Sequence, residues 1–112
     1  MKNFIAHGNT LTITAAADHK SGDGVLVGAL FGVAASDIAS GTEGVLNLTG
    51  IYDLPKQPSQ AWTVGMKVYW DAANARATTT ASGNTLIGAA VLATGGTAGE
   101  VIGRVRLNGV VV

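Results

Sequence analysis

Short apolar runs alternate with clusters of Gly, Asp, Asn and Ser along the chain, a spacing that predicts many short strands joined by tight turns. Thr10 to Ala15 alternates cleanly, with Leu11, Ile13 and Ala15 on one face and three threonines on the other. A polar loop, Ala16 to Gly24, follows. Val25 to Gly28 and Leu30 to Ala34 are apolar at both parities, which suits strands buried on both sides. A helix over Val25 to Ala35 is disfavoured because Gly28 and Gly32 would cost it about 1 kcal/mol each. After a second polar loop, Ser36 to Gly44, the longest strand runs from Val45 to Tyr52, with Gly50 marking a bulge or a close approach. Pro55 and Pro58 are expected to end any ladder, and Ser59 to Trp62 fits one helical turn entered through proline.

Met66 to Asp71 is a further strand, placing Val68 and Trp70 together and Lys67, Tyr69 and Asp71 opposite. Asp71 to Asn74 reads as a type I turn into a return strand from Ala75 to Thr80, with Asn74 suited to a left-handed conformation. Ser82-Gly83-Asn84 is another turn. Leu86 to Ala93 and Val101 to Leu107 form a closing pair around the loop Gly95 to Gly99. The sum is seven to nine short strands with at most one or two helical turns, an all-β small barrel or sandwich. Residues 9–112 form one domain, and 1–8 are either an N-terminal arm or the domain's own first strand. A faint echo links Gly22 to Val27 with Val64 to Trp70, each an apolar strand entered through a Gly turn.

Composition sharpens this picture. The 112 residues include 16 glycines, 18 alanines and 12 threonines but only two each of Trp, Tyr, Phe and Met. Gly and Thr disfavour helix, so the composition argues against a helix bundle. Seven basic residues balance seven acidic ones, so the whole-chain charge carries no nucleic-acid footprint and its near-neutrality favours association. The absence of cysteine excludes disulfides, thiolate metal sites and Cys nucleophiles. Met1 to Gly8 lacks the apolar run of a secretory signal, and Ala77 to Gly99 is too polar to span a membrane, so a protein made in the cytoplasm with no membrane partner is expected.

Candidate chemistry is thin. His7 and His19 are the two histidines, and there is no Gly-x-Ser-x-Gly elbow for a nucleophile. The loop Asp18-His19-Lys20-Ser21-Gly22-Asp23 offers two carboxylates and an imidazole, but every residue in it is also what a solvated turn prefers, and the turn is the simpler reading. Lys20-Ser21 lacks the glycines and the following helix that a phosphate-binding loop requires. Seven scattered acids do not make a glycosidase pair. Arg104 and Arg106 share a strand face, with Lys67 and Tyr69 as companions for a nucleic-acid surface, but an exposed strand face with two solvated arginines is the favoured reading. Trp62 and Trp70 read as core or subunit-interface anchors in a chain otherwise short of bulk. No enzyme activity, cofactor, metal or nucleic-acid partner is expected.

Ser21 to Ala34, Gly50 to Lys56, Val68 to Asp71 and Gly103 to Asn108, in that order and spacing, resemble a family of small tailed-phage and prophage head proteins. Its members act as capsid decoration, or cement, proteins, and some carry a recombinase label of the RecA/RadA type that the missing phosphate loop contradicts. The resemblance runs from about Thr10 to Asn108. It implies a β-rich virion protein on the capsid surface, a homotrimer whose partners are the major capsid protein and itself. The family offers no catalytic residues; Gly28, Gly32, Gly50, Pro55 and Trp70 read as structural, and with Trp62 as candidate interface positions. If the N-terminus is an arm, Lys2, Asn3, Phe4 and Ile5 would add as a strand to a capsid sheet edge, with Phe4 and Ile5 as anchors. A small-barrel module binding nucleic acid or glycan during phage assembly or attachment is the alternative.

Overall fold

In the computed structural model, residues 8–109 are described, and nine strands run through them: β1 (Thr10–Thr14), β2 (Gly24–Val27), β3 (Leu30–Ala34), β4 (Glu43–Asn47), β5 (Thr49–Pro55), β6 (Lys67–Asp71), β7 (Arg76–Thr78), β8 (Thr85–Ala90) and β9 (Ile102–Asn108). They form two antiparallel sheets, one ordered β1-β4-β3-β2 and the other β5-β9-β8-β6-β7. No helix occurs among the described residues, so the chain is all-β as its pattern predicts.

The predicted long strand from Val45 to Tyr52 is instead two. At Leu48 the chain leaves the first sheet for the second: the Leu48 amide donates to Asn9 O, and Thr49 begins pairing with Asn108. Gly50 (φ 114°) makes the change of direction possible, and a Cβ there would lie 3.1 Å from the Tyr52 ring. The β5–β9 ladder ends at Pro55, as expected, with Pro55 itself paired to Ile102. Strand N–H groups point alternately to either side, and Lys56 N–H donates to Val101 O just ahead of β9, so the proline nitrogen faces away from β9. The helical turn at Ser59–Trp62 is absent. Ser59 has φ 59°, outside the right-handed helical region, and the Trp62 main chain is engaged in a bridge with Thr94.

At the β6–β7 turn, Asp71 accepts hydrogen bonds from the Asn74 amide (3.3 Å) and its side chain (2.7 Å). The left-handed residue is Ala75 (φ 51°) and not Asn74, which shortens the return strand to Arg76–Thr78. The echo around Gly22 and Gly65 has a structural counterpart. Four β-turns, 20–23, 39–42, 63–66 and 97–100, each close through a hydrogen bond from the fourth amide to the first carbonyl. Each follows a residue in an isolated bridge or lies just beyond one, His19 with Ile38 and Trp62 with Thr94. In three of them the third position is a glycine at φ 88°, 81° and 92° (Gly22, Gly41, Gly65), the geometry of a type II turn.

The five-stranded sheet curls until its outer strands meet. Lys56, just past β5, forms a parallel bridge with Ala77 of β7, and the Gln57 amide donates to Ala77 O at 2.9 Å. Inside the resulting half-barrel lie Leu54, Trp62, Val68, Trp70, Ala77, Ile87, Ala90, Val105 and Leu107, with Phe31 and Val33 of β3 closing the open side. β3 is buried on both faces, as its unbroken apolar run predicts: Gly32 and Ala34 point to a second, smaller cluster of Ala15, Val25, Ile38, Leu46 and Leu48. The two tryptophans fit because glycine makes room. Gly103 lies directly beneath the Trp62 ring, and Gly24 lies beneath Trp70, whose ring also meets Phe31 at 4.9 Å.

Polar side chains plug the barrel next to the seam. Trp62 Nε1 donates to Gln60 Oε1 (2.9 Å), which also accepts from the Thr79 amide, while the Thr78 hydroxyl donates to Gln57 Oε1 (2.8 Å). Lys56 is 2% exposed; its ammonium donates to Gln57 O (2.9 Å) and Glu100 O (3.2 Å) and sits 5.6 Å from the Trp62 ring centre. Burial holds its pKa below the ordinary lysine value, against a smaller opposing pull from Glu100.

Two expectations follow for stability, both measurable by urea unfolding. A Cβ at Gly88 would collide with the Arg106 carbonyl in the adjoining strand, so Gly88→Ala should unfold the protein, whereas Gly83→Ala, at a turn with φ 75° and open space around it, should cost only about 1–2 kcal/mol. Because the Lys56 pKa is lowered, the unfolded chain binds that proton more tightly than the fold does. Wild-type stability should therefore rise as pH climbs through the window just beneath about 10.4, and Lys56→Met should remove that rise without loss of stability at pH 7.

Candidate functional site

Two hollows mark this fold, and the titratable side chains gather at the smaller one, about 340 Å³, lined by Asp18, His19, Lys20 and Asp37. The other, an apolar groove of about 550 Å³, lies between β2 and the β6–β7 turn and is lined mainly by Ile13, Val25, Leu26, Val27 and Trp70, with His19 as its one titratable group. The polar groups fall into two surfaces at different parts of the molecule.

The first is a tip built by the two loops of the first sheet. His19 and Ile38 exchange amide-to-carbonyl hydrogen bonds of 2.8 Å each way. Around that bridge the contacts are reciprocal: Asp18 Oδ1 accepts from the Ser40 amide (2.7 Å) and Asp37 Oδ1 from the Ser21 amide (2.8 Å). The Asp18–Asp23 loop is thus organised as half of a laced pair of turns, and both aspartates that flank the bridge hold main-chain amides of the opposite loop. A signal in the sequence could have found this. Asp-x-x-Ser-Gly occurs twice, at Asp18 to Gly22 and Asp37 to Gly41, an internal repeat that the reading for strands passes over. The tip carries Asp18, Asp23, Asp37 and Glu43, all exposed, against Lys20.

The second surface is the outer face of β5, β9, β8 and β6. Cross-strand register places Ile51, Arg106, Ala89 and Lys67 in one row, and Asp53 beside Arg104 in the next. Arg104 grips Asp53 through two hydrogen bonds (Nε to Oδ1 2.9 Å, Nη2 to Oδ2 3.2 Å). That pair lowers the Asp53 pKa and raises that of Arg104, in both cases chiefly through the side-chain hydrogen bond. The two arginines therefore share a face, as their spacing predicts, but one is already neutralised. Arg106 and Lys67 have no ion pair among the described residues. Ile51 (57% exposed) and Ile102 (54%) stand out on the same side.

The remaining candidate positions are scattered. Gly28 (φ 60°) occupies the β2–β3 turn with open space around it, and Gly32 is packed within 2.8 Å of Leu46 Cβ by the measure of an added Cβ. Gly50 sits at the change of sheet, Pro55 ends β5 on the exposed face, and Trp62 and Trp70 are 1% and 4% exposed within the chain's own core. Lys2, Asn3, Phe4 and Ile5 lie outside the described residues. For the tip, Asp37→Ala should cost about 1 kcal/mol in urea unfolding and Asp37→Asn much less, since the amide oxygen still accepts from Ser21.

Comparison with known proteins adds one match. The family model described as phage cement protein matches residues 5–107, from ahead of β1 to the penultimate residue of β9. No curated protein and no solved structure matches the chain. A match that takes in both sheets and the tip that laces the first of them identifies the whole fold and not a fragment of it: the chain belongs to the phage cement protein family.

Proposed function

We propose that this protein decorates the outer surface of a phage head shell as a homotrimer bound to the major capsid protein, and stabilises the shell without catalysing a reaction. The observation that carries the reading is the family match over residues 5–107, since a cement protein is a component of the virion capsid. The fold supports it. Polar side chains are spent on lacing loops and plugging the barrel, and no group of carboxylate, imidazole and hydroxyl converges on the apolar groove. Many copies on one shell turn modest contacts per subunit into strong binding.

Residues Lys2 to Ile5 act in this reading as a capsid-binding arm, with Phe4 and Ile5 as anchors on a capsid sheet edge. The arm would leave the domain beside β1, whose Thr10 pairs with Asn47. Electron microscopy of the virion should show density for the protein at local threefold positions, and added protein should bind expanded heads and raise the temperature at which they disrupt. Deleting residues 1–6 should leave a folded protein that no longer binds heads; unchanged occupancy after the deletion would remove the arm from the mechanism. Binding to DNA or RNA that weakens with salt and is lost in Arg104→Ala/Arg106→Ala, with no binding to heads, would overturn the proposal as a whole.

A further inference from the structure

The formal charge of zero conceals a polarity. Between Asn9 and Leu48, four carboxylates face one lysine, a formal −3; between Thr49 and Gly109, five basic residues face three acids, a formal +2. These charges are not spread evenly over the two halves. All four acids of the first half sit at the laced tip, three on its loops and Glu43 at the start of β4, at the same end of the sheet: β1 and β3 end there, and β2 and β4 begin there. Because the tip's two loops are tied by the His19–Ile38 bridge and by the Asp18–Ser40 and Asp37–Ser21 hydrogen bonds, its charge is held in one place.

The free positive charge is equally localised. Within the second half, Arg104 is matched by Asp53 and Arg76 lies 4.0 Å from Asp71, while Lys56 is buried. That leaves Lys67 and Arg106, in one cross-strand row and separated by β8 alone, so about 10 Å apart. They are flanked by the exposed Ile51 and Ile102, an apolar surface with cations and no free acid in the row. The tip presents the complement: carboxylates interspersed with the small exposed Ala16, Ala17, Ala35 and Ala39, which allow the convex outer face of the curled sheet to come close.

We infer that the Ile51–Arg106–Lys67 face of one copy docks on the acidic tip of the next copy, a head-to-tail contact between unlike surfaces of the same chain. Such a heterologous contact generates a ring when its rotation closes. It rests on the trimer of the proposed function and supplies the contact by which that trimer forms. Electrostatic complementarity sets the register, and the isoleucines supply the apolar area. Zero net charge is then a consequence of self-complementarity, with each copy carrying both halves of the contact.

Three full-length variants test this by sedimentation and native mass measurement in the absence of capsids. Lys67→Glu/Arg106→Glu reverses the face. Asp18→Asn/Asp37→Asn/Glu43→Lys reverses the tip while keeping side-chain oxygens that accept from Ser40 and Ser21. Each should weaken self-association by tenfold or more at low salt. The chain that combines all five substitutions matches the two surfaces again, with signs exchanged, and should recover association; a variant damaged merely in folding would not. Wild-type association should also weaken as salt is raised. A monomeric wild type, association unaffected by either reversal, or failure of the combined chain to recover while its unfolding curve is native-like, overturns the inference. Head binding measured separately on the same variants keeps its outcome distinct from that of the capsid proposal.

Discussion

The seam at Lys56, Gln57 and Ala77 is the constraint on which the rest of the structure depends. A five-stranded sheet of short strands has two unpaired edges, and curling it until β5 meets β7 removes part of each. Curling also creates an interior narrow enough to be filled by a chain with few large side chains. Trp62 and Trp70 then supply most of the bulk, provided that Gly103 and Gly24 leave room beneath their rings. The small-residue composition and the two tryptophans are therefore one solution: close backbone approach where glycine stands, and two large rings where a gap would otherwise remain.

The seam sets a polar cost that the local sequence meets. Closing the barrel buries the Lys56 ammonium and the Trp62 indole N–H; the first donates to the carbonyls of Gln57 and Glu100 and the second to Gln60 Oε1, while the Thr78 hydroxyl donates to Gln57 Oε1. The ammonium remains the uncomfortable member, stabilised by two carbonyls and the indole face but depressed in basicity by burial. None of these groups faces a cavity suited to a substrate. They hold the barrel shut.

Much of this was legible in the chain. Alternation located the strands, and the turn glycines located their boundaries: Gly22, Gly41, Gly65 and Gly83 all stand at left-handed turn positions where the polar clusters predict turns. The both-parity apolar run of Leu30 to Ala34 announced a strand with two buried faces. What was misread has a common cause. The split at Leu48 and the extended path of Ser59 to Trp62 each depend on which partner a segment meets, and local propensity contains no partner. The surfaces follow the same rule. Pairing of Arg104 with Asp53, 51 residues earlier in the chain, is a matter of β5–β9 register, and it changes a two-arginine face into one free cation plus the distant Lys67.

By itself, the sequence determined an all-β domain of many short strands, because the period of apolar residues and the chemistry of turns are local properties, and its ordered motifs pointed to the cement proteins of phage heads. Tertiary structure alone decided that these strands divide into two sheets at Leu48, that one of them closes on itself through Lys56 and Ala77, and where on the surface the charges of a neutral chain gather. Long-range register decides which side chains become neighbours, and so which charges cancel within the chain and which are left to face another molecule.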